Sequence, residues 1–231
     1  MPPCSRPRMA ETVAQVLEAV RGIVLDFDGV VVESAAIKTR AFRELFAGYR
    51  DHLEQIVAFH EANAGVSRYE QFKVIYQDLL HESCDEAQLR RIGERFQEMV
   101  MGAVIRCAFV NGAERFLQTF ARRYDLFLVS GTPEQELRQI VDQRHLQGYF
   151  RGLYGSPRPK TRILEEILSA QRWQPHQVVV VGDSRTDYRA AADVGTAFIG
   201  RVPPEGANPF AELAGVQTVA DLDELARRWN V

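Results

Sequence analysis

The sequence predicts an α/β protein built on a parallel sheet and interrupted by an all-helical stretch. Three observations carry this. Apolar runs end in polar residues at 23–30 (IVLDFDGV), 126–132 (LFLVSGT) and 178–187 (VVVVGDSRTD), as expected of strands buried on both faces. From residue 107 onward such runs alternate with helical periodicity, the signature of βαβ units. Between about 34 and 106 the strand patterns vanish and apolar residues recur at helical spacing.

The opening MPPCSRPR carries charge but no following apolar core, so residues 1–9 read as a disordered leader rather than a signal peptide. Val13, Val16, Leu17 and Val20 trace one face of a short helix expected to pack on the core. The first strand then runs into Asp26, Phe27, Asp28 and Gly29. Strand side chains alternate, so the two acids share a face at the strand's carboxyl end while Phe27 turns inward. Ligands of open parallel sheets bind at that end. Two adjacent carboxylates call for a cation, and oxygen ligands select a hard one such as magnesium. A polar strand end with an Asp-Gly turn is the plainer reading of this segment alone.

Within 34–106, Ala41, Phe42, Leu45 and Phe46 form one apolar stripe and Leu89, Ile92, Phe96 and Met99 another. NAGVSRYEQF (63–72) breaks the helical pattern and carries Arg68. The strand at 126–132 ends in Ser130, Gly131 and Thr132, which offer a hydroxyl and backbone N–H groups at the same sheet edge. Lys160 follows two stiffening prolines, Pro157 and Pro159, and precedes a helix marked by Ile163, Leu164, Ile167 and Leu168. The run at 178–187 ends in Gly182 and Asp183, with Asp187 one helical turn further on. That spacing places both acids on the first turn of a helix, where the dipole favours them. Simple capping by Asp183 or Ser184 is the plainer alternative.

Composition narrows the function. The 231 residues suit one core with a modest insertion. With 28 basic against 31 acidic residues there is no basic footprint for nucleic acid. No apolar run approaches the roughly 20 residues that span a bilayer. Cys4, Cys84 and Cys107 are scattered and odd in number, which points to reduced thiols and a cytoplasmic protein.

Taken in order, DFDGV (26–30), the serine of VSGT (Ser130), Lys160 and GDSRTD (182–187) resemble the four motifs of the haloacid dehalogenase superfamily of phosphohydrolases. The resemblance covers nearly the whole chain beyond the first twenty residues. It implies a doubly wound, Rossmann-like parallel sheet with helices on both faces, formed by residues 1–33 and 107–231. It also implies a small all-helical cap (34–106) inserted after the first strand. By resemblance, Asp26 is the nucleophile that forms an aspartyl-phosphate. Asp28 is the general acid and base, with a raised pKa beside an ionised neighbour. Asp26, the backbone carbonyl of Asp28 and Asp183 hold Mg2+, and Asp187 orients that shell. Ser130, Gly131 and Lys160 hold the phosphoryl oxygens.

Two family activities fit less well. Dehalogenases lack an acid at the position of Asp28, and phosphonoacetaldehyde hydrolases carry a small apolar residue there. Gly65, Val66, Ser67 and Arg68 are similar to the specificity loop of the β-phosphoglucomutase branch, but Ala64 replaces that branch's lysine and Lys38 stands where the mutase has a histidine. Arg68 and Lys38 are candidates to bind a second anionic group on the substrate; solvated helix-end charges are the plainer reading. The expectation is a magnesium-dependent phosphatase, monomer or dimer, acting on a small phosphate ester. A phosphomutase and a non-catalytic phosphate-binding protein are the alternatives.

Overall fold

The structure, a computed structural model, describes residues 19–229. The expected leader, Cys4, and Val13, Val16 and Leu17 of the expected first helix lie outside the described residues. The strands are β1 (Gly22–Leu25), β2 (Asp125–Pro133), β3 (Gly152–Ser156), β4 (Val178–Gly182), β5 (Ala197–Arg201) and β6 (Gln217–Val219). They form a single six-stranded sheet in the order β3-β2-β1-β4-β5-β6, and every neighbouring pair is parallel.

The apolar runs are continuous because both faces of the sheet are covered. Ile23, Leu25, Leu126, Leu128, Val179 and Val181 pack on one face, under α5 (Ala113–Phe120), α6 (Glu134–Gln143) and α9 (Leu222–Arg228). Val24, Phe127, Val129, Val178 and Val180 pack on the other, under α7 (Lys160–Gln171) and α8 (Arg185–Val194). Odd and even residues of each strand thus belong to different cores, as the pleat requires. The sheet is doubly wound, as expected. Its strand order reverses between β1 and β4, and the crevice outside their carboxyl ends is where such sheets bind ligands.

Between β1 and α5 the chain forms helices only: α1 (Ala35–Leu45), α2 (Leu53–Ala62), α3 (Arg68–Val74) with a π-helical turn at Ile75–Leu79, and α4 (Glu86–Arg106). Phe42, Phe72 and Phe96 make their core, with Phe42 and Phe96 ring centroids 5.0 Å apart, edge to face. On α4 the buried stripe is Leu89, Gly93, Phe96, Val100 and Val104; the expected Ile92 and Met99 lie at its margin. Gly93 belongs to this stripe with the Tyr69 ring lying directly over it, where a Cβ would meet the ring at 2.4 Å. Among the described residues no helix is long and apolar enough to cross a membrane.

The chain leaves the sheet and returns to it along one path. Val110 N–H donates to Val31 O (3.0 Å) and Glu33 N–H to Ala108 O (2.9 Å), so the two connections run antiparallel and hydrogen-bonded to each other. Arg144 secures the return: its Nη1 donates to the carbonyls of Val104, Ile105 and Cys107 at the end of α4. Those carbonyls have no helical partner, and a cation there also suits the helix dipole.

Candidate active site

Asp26 follows β1 directly, and its N–H still bonds to Val181 O of β4 (2.9 Å), so the sheet fixes its backbone. Lys160, the first residue of α7, donates from Nζ to Asp26 Oδ1 (2.9 Å) and Asp187 Oδ1 (2.5 Å). Asp187 sits in the first turn of α8, where Ser184 is the N-cap. Ser184 Oγ accepts from the Asp187 N–H (3.3 Å) and the Ser184 N–H donates to Asp187 Oδ2 (3.2 Å), a reciprocal capping box; the Ser184 hydroxyl also donates to Asp187 Oδ2 (2.5 Å). The expectation that Asp183 and Asp187 share the first helical turn is corrected here. Ser184 takes the cap, so Asp183 stays outside the helix. Asp183 also presses on Gly29, whose φ is +73°; a Cβ at that position would stand 1.9 Å from Asp183 Oδ2.

Asp28 is held by four side chains. Ser34 donates to its Oδ1 (2.5 Å), while Lys38 (2.6 Å), Ser130 (3.2 Å) and Thr132 (3.2 Å) donate to Oδ2. Lys38 also donates to Thr132 Oγ1 (2.7 Å), which orients that hydroxyl's own proton toward Asp28. Ser130 and Thr132 are two apart on β2 and so share a face. Ser34 stands at the N-cap of α1 but makes no capping bond, because its hydroxyl is committed to Asp28.

The charges divide unevenly. Asp26, Asp183 and Asp187 place oxygens within 4.8 Å of one another, with Lys160 bound to two of them. Burial above all pushes Asp26 up to about 7; Lys160 opposes this, and the charges of Asp187 and Asp28 add to it. Burial, then Asp26 and Asp187, also raise Asp183 well above the usual carboxylate range. Burial works against the charged form of Lys160 too, but Asp187 and Asp26 more than offset it and raise its pKa. For Asp28 burial pushes upward, yet Lys38's charge and the bonds from Lys38, Ser34 and Thr132 hold it below its ordinary value. The expected order, a raised Asp28 beside an ionised Asp26, is therefore reversed in the protein by itself. The reason is Lys38, which stands against Asp28, whereas the carboxylate cluster around Asp26 has only Lys160. A crowded all-oxygen set of this kind fits a hard divalent cation. Asp187 has both oxygens engaged, whereas Asp183 makes no side-chain hydrogen bond among the described residues.

Helices 35–106 close over this edge around a cavity of about 480 Å3 lined by Asp26, Asp28, Lys38, His60, Arg68 and Asp183 among others. The loop between α2 and α3 lies on the sheet edge. Thr186 Oγ1 donates to Ala64 O (2.9 Å), and a Cβ on Gly65 (φ +81°) would meet Ser184 Oγ at 2.8 Å and Lys160 Nζ at 3.3 Å. Ser130 and Lys160 face an adjoining cavity of about 290 Å3, with Gly65 and Gly131 lining both. The loop thus divides the two halves of the site.

Residues 20–195 match the family model of haloacid dehalogenase-like hydrolases. The chain belongs to this family. The phosphoglycolate phosphatase of Synechococcus elongatus is 24% identical over 189 residues, covering 76% of this chain and 81% of that protein. CbbY from Rhodobacter sphaeroides, solved with phosphate, is 16% identical with a TM-score of 0.68, covering 92% of this chain and 100% of that one. YfnB from Bacillus subtilis, solved with magnesium, is 17% identical with a TM-score of 0.68, covering 92% and 99%. At these identities the two structures speak for the fold.

Within this hydrolase, Asp26, Asp28, Ser130, Gly131, Lys160, Asp183 and Asp187 gather at one sheet edge. Lys38 and Arg68 are not solvated helix-end charges. Lys38 reaches Asp28, and Arg68 is buried with its Nη2 donating to both carboxylate oxygens of Glu136 on α6 (2.7 Å each) and its guanidinium over the Phe96 ring (4.7 Å). Sequence reasoning missed Ser34, Glu136, His60 and Gln71, and placed Thr132 at the sheet edge without its bond to Asp28. Thr132 carried a usable signal, its two-residue spacing from Ser130. The others reach the site through contacts between separate elements, which local spacing does not encode.

Proposed function

We propose that this hydrolase is a magnesium-dependent phosphatase that cleaves a small phosphorylated metabolite, a sugar phosphate or organic-acid phosphate, through an aspartyl-phosphate. The observation that carries the reading is Asp26 joined to Lys160 in a buried acid cluster, one strand-end step from Asp28. Asp26 attacks phosphorus with the carboxylate oxygen not bonded to Lys160 as the ester P–O bond breaks. Lys160 offsets the repulsion between the two anions, and Ser130 with the Gly131 N–H receives phosphoryl oxygens. Asp28 gives a proton to the leaving oxygen, then takes one from the water that frees Asp26. A phosphoryl dianion arriving beside Asp28 raises its pKa by like charge, which favours the proton-bearing form this step needs. Asp26, Asp183 and the Asp28 carbonyl would hold Mg2+, whose charge neutralises the phosphoryl oxygens and helps keep Asp26 ionised. Asp187 holds Lys160 in place.

Residues 34–106 act as a cap that excludes water and selects the leaving group, with 1–33 and 107–231 as the core. The loop contacts of Ala64 and Gly65 and the Arg68–Glu136 pair support this. The reading assigns the protein to the cytoplasm; Cys84 and Cys107, which form no disulfide among the described residues, support it. The test is a phosphate monoester panel with and without Mg2+. The expected result is metal-dependent release of orthophosphate that Asp26→Asn loses. Transfer to a sugar hydroxyl would identify a mutase, and no turnover on any ester would end the enzymatic reading.

A further inference from the structure

His60 lines the cavity of about 480 Å3 that holds Asp26 and Asp28, is nine-tenths buried and stacks on Phe42 with ring centroids 3.7 Å apart. Its hydrogen bonding determines its tautomer. Gln71 Nε2 donates to the carbonyls of Val66 (3.0 Å) and Asn63 (3.2 Å), and carbonyls only accept, so the amide orientation is settled. Gln71 Oε1 must therefore accept from His60 Nδ1 (2.8 Å), which carries the ring proton. That leaves Nε2 as a lone-pair acceptor with no partner among the described residues. Burial, the main influence, holds the imidazole pKa down at about 4, so this acceptor persists at neutral pH. Arg68 lines the same cavity, and its Nε and Nη1 have no partner among the described residues, since Glu136 takes only Nη2. One fixed acceptor and two spare donors therefore belong to residues that line the space available to a leaving group.

We propose that His60 is a specificity-determining residue: its Nε2 accepts a hydrogen bond from a hydroxyl of the leaving group, selecting polyhydroxylated phosphate esters of the sugar or polyol class. This rests on the phosphatase reading and deepens it. An anionic group alone satisfies Arg68 but leaves Nε2 unpaired, and a site with an unpaired buried acceptor rejects the analogue lacking the hydroxyl. The acceptor position also makes a role for His60 as a cationic phosphate ligand untenable.

The test uses the full chain with Mg2+ on three kinds of substrate: para-nitrophenyl phosphate, a set of sugar phosphates, and their deoxy analogues (ribose and glucose phosphates against the 2-deoxy compounds). The wild type is expected to favour the hydroxylated member of at least one pair by about tenfold or more in kcat/KM. His60→Asn keeps a donor for Gln71 but removes the cavity acceptor. It should bring that pair to within about twofold while leaving para-nitrophenyl phosphate hydrolysis near wild type. The proposal is overturned if the wild type distinguishes no pair, if the preference survives in His60→Asn, or if para-nitrophenyl phosphate turnover falls in parallel, since His60 is then structural. Failure of the wild type on every substrate, para-nitrophenyl phosphate included, overturns the phosphatase reading itself and this inference with it.

Discussion

Gly131 of β2 and Gly65 of the α2–α3 loop meet backbone to backbone: a Cβ on Gly131 would stand 2.5 Å from the Gly65 carbonyl oxygen. The carbonyl belongs to the loop that lies on Lys160 and Ser184, so any side chain at 131 must lift that loop. Gly131→Ala is expected to leave the melting temperature nearly unchanged while lowering kcat/KM by up to about a hundredfold, the cost of an ångström-scale misplacement at a reacting centre. Wild-type kinetics in Gly131→Ala would show that the loop need not dock for turnover.

Asp26→Asn should lower kcat by roughly 10⁴-fold or more, since an amide does not attack phosphorus. Without Mg2+ the fold should be no less stable than wild type, because the substitution removes one of the like charges crowding Asp183 and Asp187. Circular dichroism melts and single-turnover assays on the purified variant check both parts.

Asp183→Ala removes a carboxylate that makes no side-chain hydrogen bond among the described residues. It should raise the Mg2+ concentration for half-maximal activity at least about tenfold. Asp28→Asn leaves the proposed backbone ligand in place, so its Mg2+ titration should match wild type while kcat falls about 10²–10⁴-fold, the usual worth of general acid–base catalysis. Superimposable Mg2+ curves for the two variants would count against separate roles.

Arg68 and Glu136 are both at least 95% buried, and breaking such a pair strands a charge. Arg68→Ala and Glu136→Ala should each cost about 3–5 kcal/mol in urea unfolding, and the double variant clearly less than the sum of the two. Strict additivity would mean the pair is not formed in solution.

His60 carries a pH prediction. Its pKa is depressed from 6.5 in the free side chain to about 4 in the fold, because burial disfavours the imidazolium. A lowered folded-state pKa means the unfolded chain binds the extra proton. The stability it contributes is thus full above pH 6.5 and is lost as pH falls toward 4. The loss is on the order of 3 kcal/mol. Unfolding free energies at pH 7.5 and 4.5 for wild type and His60→Asn check it; the variant should lose visibly less stability on acidification.

Much of the core was legible in the sequence because its signals are local. An apolar strand, a polar end and a turn or cap occupy fewer than ten consecutive residues at Asp26, Ser130 and Asp183, and the sheet does the rest by aligning strand ends. The helix at Lys160 was legible for the same reason, with Ile163, Leu164, Ile167 and Leu168 all buried. What escaped depends on partners far apart in the chain. Nothing near Arg68 announces Glu136, nothing near Arg144 announces the end of α4, and Lys38 looks like any helical surface lysine until α1 is laid beside Asp28. The misplacement of Asp183 is of another kind. Ser184 and Asp187 form a capping box that outcompetes the adjacent acid for the helix start, a difference of one residue that spacing alone does not resolve.

The paired connections at Val31–Val110 and Glu33–Ala108 give the molecule a modular character. Because both ends of the helical segment stand side by side on one hydrogen-bonded neck, the length of chain between them does not set the register of the six-stranded sheet. Helices of another length or shape can be grafted there without re-registering a single strand. A laboratory wishing to redirect such a hydrolase therefore has a natural splice site: keep the sheet edge together with Ser34 and Lys38, which hold Asp28, exchange the helices beyond them, and change Glu136 along with its buried partner Arg68.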